Sequence, residues 1–157
     1  MSELEKKVPS LEKVFTIEVQ VKKPIVVGQD NCVGRRQLIE LTEGKVTGRV
    51  TGKVMPGGVD SQIIRPDGLC ELEARYAVQL DDGESFYIEN KGIRRVEPEY
   101  AARAAAGEII DPQYVYFATV PQFEIYSEKL KWLKENIFIC YAVRLPEAVY
   151  LNYYMVK

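Results

Sequence analysis

The chain has 157 residues, 46% of them hydrophobic and 28% charged, which suits one globular domain whose core needs no disulfide staples. Its 21 basic and 23 acidic residues give a formal charge of −2 with no basic block, so neither nucleic acid nor an anionic membrane is an expected partner. Histidine is absent, which excludes a Ser-His-Asp triad, a Cys-His dyad and a histidine-based zinc site; no metal and no cofactor are expected.

In chain order the dominant signal is alternation by two, broken by turn residues, as half-buried antiparallel strands produce. After a start expected to be frayed over residues 1–10, Phe15, Ile17, Val19 and Val21 alternate with polar residues up to Pro24. Residues 28–34 read as a loop and 37–41 as a short strand. Val46, Gly48, Val50, Gly52 and Val54 then share one face of a predicted strand, opposite Lys45, Thr47, Arg49, Thr51 and Lys53. Glycines within a strand mark a tight bend or a close backbone approach, which a closing barrel requires.

Pro56-Gly57-Gly58 and Pro66-Asp67-Gly68 are turns flanking a strand at 60–65. Residues 69–80 form a long strand, Asp81-Asp82-Gly83 a hairpin turn, and 85–90 the returning strand. Pro98, a run of alanines and Gly107 delimit the one predicted helix, 98–106. Strands follow at 114–120 and 122–126, then a helical turn at 127–134 carrying Trp132. A last hairpin joins 137–144 to 149–156. The sum is all-β: one domain over 1–157, a closed antiparallel barrel of about 8–10 strands with one short helix, with a sandwich as the alternative.

Cys32, Cys70 and Cys140 are odd in number and far apart, so they read as reduced thiols filling core positions. The first nine residues lack an apolar run, and no stretch approaches a membrane span. A cytoplasmic protein is expected.

Several motifs carry a family resemblance. They are Gly34-Arg35-Arg36, Pro56-Gly57-Gly58 followed by Asp60 and Gln62, Arg65-Pro66-Asp67-Gly68, Ala74-Arg75-Tyr76 and Asp81-Asp82-Gly83. Asn90 with Gly92, Thr119 with Pro121-Gln122-Phe123-Glu124, and the run from Trp132-Leu133 to Asn136 complete the set. In this order, over nearly the whole chain, the sequence resembles an uncharacterised bacterial protein family. The resemblance implies a single lipocalin-like (calycin-like) β-barrel and no particular activity.

Five residues are candidates for a ligand site. Asp60 and Gln62, two apart on a short strand, point to the same side and offer a carboxylate and an amide. The long strand has an apolar face (Cys70, Leu72, Ala74, Tyr76, Val78, Leu80) and a polar one (Glu71, Glu73, Arg75, Gln79). Arg75 belongs in solvent beside Glu73 unless the barrel interior is polar; in that case it is a lumen cation able to grip a carboxylate. Asn90 shares a face with Phe86 and Ile88 and needs hydrogen-bond partners that a ligand can supply. Glu124, alternating with apolar neighbours, points outward unless a pocket encloses it and raises its pKa. Ten tyrosines suit a pocket for oxygenated molecules, a β-core or an oligomer interface.

Three functions fit. One is a barrel binding a small, partly apolar, oxygenated or acidic metabolite. Another is a cofactor-free enzyme for hydration, isomerisation or cyclisation, with Asp60 or Glu124 as acid or base and Arg75 and Asn90 stabilising negative charge. The third is an interaction barrel with a filled interior. A homo-oligomer is compatible with each.

Overall fold

Alternation by two builds the wall, and turn residues set its corners. A computed structural model describes residues 7–28 and 31–157. The first six positions of the expected frayed start, and positions 29–30 of the expected loop, lie outside the described residues. The elements are β1 (Leu11–Val21), β2 (Ile25–Val26), β3 (Arg35–Gly48), β4 (Gly52–Val54), β5 (Gly58–Ile64), β6 (Cys70–Leu80) and β7 (Ser85–Val96). They continue with α1 (Ala101–Ala105), β8 (Val115–Ile125), α2 (Trp132–Glu135), β9 (Phe138–Arg144) and β10 (Ala148–Val156).

Pairing is antiparallel throughout and runs β1–β10–β9–β8–β7–β6–β5–β3, with β3 returning to β1 to close an eight-membered barrel. β4 and β5 together occupy one place between β3 and β6, kinked at Met55-Pro56-Gly57. The short β2 lies beside β3. No helix among the described residues is long and apolar enough to cross a membrane.

Three elements differ from the sequence expectation. The predicted strand through 45–54 is a hairpin: β3 ends at Gly48, whose φ of 122° suits glycine, and Val46 pairs back onto Gly52. The close-approach reading of the glycines holds within that hairpin. A Cβ on Gly52 would lie 2.3 Å from the Gln79 carbonyl oxygen. β7 continues six residues past Asn90 to Val96, through Gly92. β8 runs unbroken through Pro121, because β9 pairs with it only at Ala118 and Thr119 and leaves the rest of that edge unpaired. An unpaired edge tolerates a residue without an N–H.

The apolar faces point inward. Phe15, Phe86, Phe123, Phe138 and Tyr153 pack at one end of the barrel, with Tyr153 stacked on Phe15 at a centroid distance of 4.6 Å. Trp132 and Leu133 of α2 close this end, Trp132 lying edge-on to Phe15. At the opposite end, α1 and the segment after it border the mouth. Gly107, at φ 91°, ends α1 as its position predicts. Cys70 and Cys140 are buried, whereas Cys32 is exposed because its loop lies outside the wall.

Candidate functional site

Midway along the barrel the inward faces turn polar. On β5 the inward positions are Gly58, Asp60, Gln62 and Ile64, so two polar side chains replace the usual aliphatic pair. They are tied by a relay from β3: Gln37 Nε2 donates to Gln62 Oε1 (2.8 Å), and Gln62 Nε2 donates to Asp60 Oδ2 (2.7 Å). This fixes both amides and one carboxylate oxygen. The other, Asp60 Oδ1, is buried without a partner.

Register brings the rest of the cluster together. Ala74 on β6 lies opposite Asp60 on one side and Asn90 on the other, and its methyl group is too small to fill the space between them. Gly92 faces Thr119 on β8 in the same way. Asn90 Nδ2 donates to the Tyr153 hydroxyl (3.4 Å), which shares a 2.6 Å hydrogen bond with the Tyr76 hydroxyl. Asn90 Oδ1 is buried without a partner, like Asp60 Oδ1, and the Thr119 hydroxyl lies against the Cys140 thiol with no nitrogen or oxygen partner. Buried polar atoms ordinarily find partners, so two orphaned oxygens around one interior space mark a place for a ligand or water.

Nearer the mouth sit two cations, Arg94 of β7 and Arg144 of β9. Arg144 is only 9% exposed; its Nη1 donates to the Leu145 carbonyl oxygen (2.7 Å). Arg94 lies over the Phe117 ring at 5.6 Å. Among the described residues, neither guanidinium forms an ion pair. Burial and repulsion from Arg94 both pull the Arg144 pKa down.

Burial holds the Asp60 carboxyl above the usual carboxylate range, although the Gln62 hydrogen bond and the charges of Arg94 and Arg144 act in the opposite direction. Burial also raises the Tyr76 and Tyr153 hydroxyls, and pushes the Cys70 and Cys140 thiols to about 11 and about 12.

The two arginines and Ile39 form a neck. Outside it opens a vestibule of about 620 Å³, walled by Val21, Pro24, Val96, Ile110, Val115 and Pro146 among others. Inside it, the space at Asp60, Asn90 and Thr119 is about 30 Å³, room for one water-sized group.

Of the five candidates, Asp60, Gln62 and Asn90 therefore meet in the interior, and two do not. Arg75 is on the outer face, paired with Glu73 at 2.8 Å, because its neighbours Ala74 and Tyr76 take the inward positions. The lumen cation expected at Arg75 is thus corrected: cations at the neck come from Arg94 and Arg144. Glu124 is exposed and accepts from the Tyr126 hydroxyl (2.9 Å), so no pocket encloses it. Gln37, Tyr76, Thr119 and Tyr153 complete the cluster.

Arg75→Ala leaves both the melting temperature and any ligand affinity at the wild-type value, as thermal-shift titration would report. Asp60→Asn raises the melting temperature at neutral pH. A carboxyl whose folded pKa is raised binds its proton more tightly in the native state, so stability falls as pH climbs from the unfolded-state pKa, about 3.9, through the folded one. The amide abolishes that loss. Melting curves from acid to neutral pH should show the variant's advantage vanishing below the ordinary aspartate range.

A family profile described as "Protein of unknown function (DUF3237)" matches residues 9–156. A UPF0311 protein of Clostridium acetobutylicum is 56% identical over 147 residues, 93% of each chain. The crystal structure of a protein with unknown function from the same species superposes with a TM-score of 0.92 at 55% identity, over 96% of this chain and 99% of the other. A beta-barrel like protein from Acinetobacter baumannii gives 0.83 at 31% identity, over 96% and 98%.

Proposed function

The chain belongs to the DUF3237 family of proteins of unknown function, and we propose that its barrel binds a small, partly apolar acid through Arg94 and Arg144. The observation that carries this reading is the pair of guanidinia at the neck without a carboxylate partner among the described residues. Two like charges, one of them nearly buried, are costly to hold together unless an anion joins them. Asp60 lines the same inner space but forms no ion pair with either guanidinium.

The vestibule supports the same reading. Its volume of about 620 Å³ lies within the range of small-molecule sites, roughly 300–1,000 Å³, and its wall mixes aliphatic side chains with a few polar groups. The inner space admits only the end of such a molecule, where Asp60, Asn90 and Thr119 offer oxygen atoms to its hydrogen-bond donors. The three free cysteines fit a reducing compartment, and we take the cytoplasm as the site of action.

A thermal-shift screen of carboxylic acids against their neutral amides tests the proposal. An acid at 100 times its Kd adds about 2.7 kcal/mol, or a rise of roughly 5–10 °C for a domain of this size. Equal shifts from acid and amide, or none from any acid, would sink it.

A further inference from the structure

One oxygen of Asp60 is held and the other is free. Gln62 Nε2 donates to Oδ2, and Gln62 cannot rotate away without breaking its own bond from Gln37. Oδ1, the unpartnered oxygen, faces the inner cavity and is the one free to exchange a proton with a bound molecule. A carboxyl clamped in this way is a base with one lone pair aimed at one place. The guanidinia of Arg94 and Arg144 border the same cavity, where they would stabilise negative charge forming on a bound molecule. A site built only to hold an anion needs the cations and gains nothing from a buried carboxylate beside them.

From this juxtaposition we infer that the barrel enolises 2-oxo acids, with Asp60 as the proton-transferring group. The inference rests on the acid-binding reading of Arg94 and Arg144 and adds a reaction to it. The carboxylate of the oxo acid sits at the two guanidinia, with its neighbouring carbonyl oxygen within their reach and its C3 methyl, the size of the one group the inner space admits, at Asp60 Oδ1. Ionised Asp60 Oδ1 takes a proton from C3. The C3–H electron pair becomes the C2–C3 double bond, and the carbonyl pair moves onto the C2 oxygen, which the guanidinia hold as an enolate. Return of the proton from Asp60 to C3 restores the ketone; transfer of the same proton from Asp60 to the C2 oxygen instead gives the enol, and either transfer leaves Asp60 a carboxylate again. Neither direction needs an oxidant, a reductant or a second substrate.

Residues packed around Asp60 allow it to change charge. Ala74, Leu72 and Ile39 are apolar, Gln62 and Asn90 are neutral, and Tyr76, Tyr153, Cys70 and Cys140 keep their protons at neutral pH. Arg94 and Arg144 are the charged groups facing it.

The test uses the full chain in D2O with pyruvate. Loss of the C3 proton signal is followed by NMR, and binding is followed in parallel by thermal shift. The expected result is saturable exchange above the buffer rate. Asp60→Asn should bind the same acid but exchange it at least about 100-fold more slowly, the usual scale of general acid–base catalysis. Asp60→Ala serves as the second variant if the asparagine form does not fold. Oxo acids that bind without accelerated exchange, or undiminished exchange in the Asp60 variants, would overturn the inference and leave the acid-binding site standing. Binding of other acids but not of oxo acids would do the same. If no acid binds at all, both readings fall together.

Discussion

Replacing Arg94 and Arg144 together by alanine lowers the affinity for a bound acid by at least about 100-fold while the barrel stays folded. Each guanidinium that loses a charge-assisted hydrogen bond to the carboxylate removes about 1.5–3 kcal/mol, and 2.7 kcal/mol is already a factor of about 100. The folded state tolerates the change because the two cations repel each other and, among the described residues, neither forms an ion pair. Isothermal titration at low and high salt checks this. Wild-type affinity should weaken with salt more steeply than that of the double variant, since exposed parts of the neck are screened. Arg75→Ala is the control, outside the barrel and paired with Glu73.

Tyr153→Ala has the largest expected effect on stability, about 3–5 kcal/mol, because it removes a fully buried ring from the aromatic end of the barrel. Tyr153→Phe keeps the ring but deletes the hydroxyl that the Tyr76 hydroxyl and Asn90 Nδ2 both use. Leaving those buried groups unpaired costs about 1–3 kcal/mol. Urea unfolding of the two variants separates the packing contribution of Tyr153 from its hydrogen bonds. Tyr153 thus joins the core to the site: its ring belongs to the closed end and its hydroxyl to the polar layer.

Strand alternation made most of this molecule readable. The apolar face of β6 is the inward face, and the turn motifs lie where the chain reverses. Asp60, Gln62 and Asn90 stood out as polar residues sharing a strand face with each other or with apolar neighbours, and all three are buried together. Arg75 was the opposite case. Its place between Ala74 and Tyr76 already puts it outside, and only a polar interior could have turned it inward.

The neck arginines are hard to read from sequence for a local reason. Phe86, Ile88, Asn90, Gly92 and Arg94 have the same parity on β7, as do Phe138, Cys140, Ala142 and Arg144 on β9. A strand predicted to stop at Asn90 excludes Arg94, and Arg144 is the last residue of its strand, where alternation alone does not distinguish lumen from rim. Gln37 and Thr119 are polar residues on the inward faces of β3 and β8, and their role depends on cross-strand register, which alternation within one strand does not specify. The hairpin at Gly48 was obscured by a glycine period that imitates one continuous strand.

Whether the neck arginines hold the acid is read by an NMR titration of the arginine side-chain Nε–H signals with an acid that raises the melting temperature. Saturable shifts are expected at Arg94 and Arg144, with no shift at Arg49 or Arg75 and no response to the corresponding amide. Unmoved signals at the two neck arginines while the acid still binds would contradict an acid site at the neck.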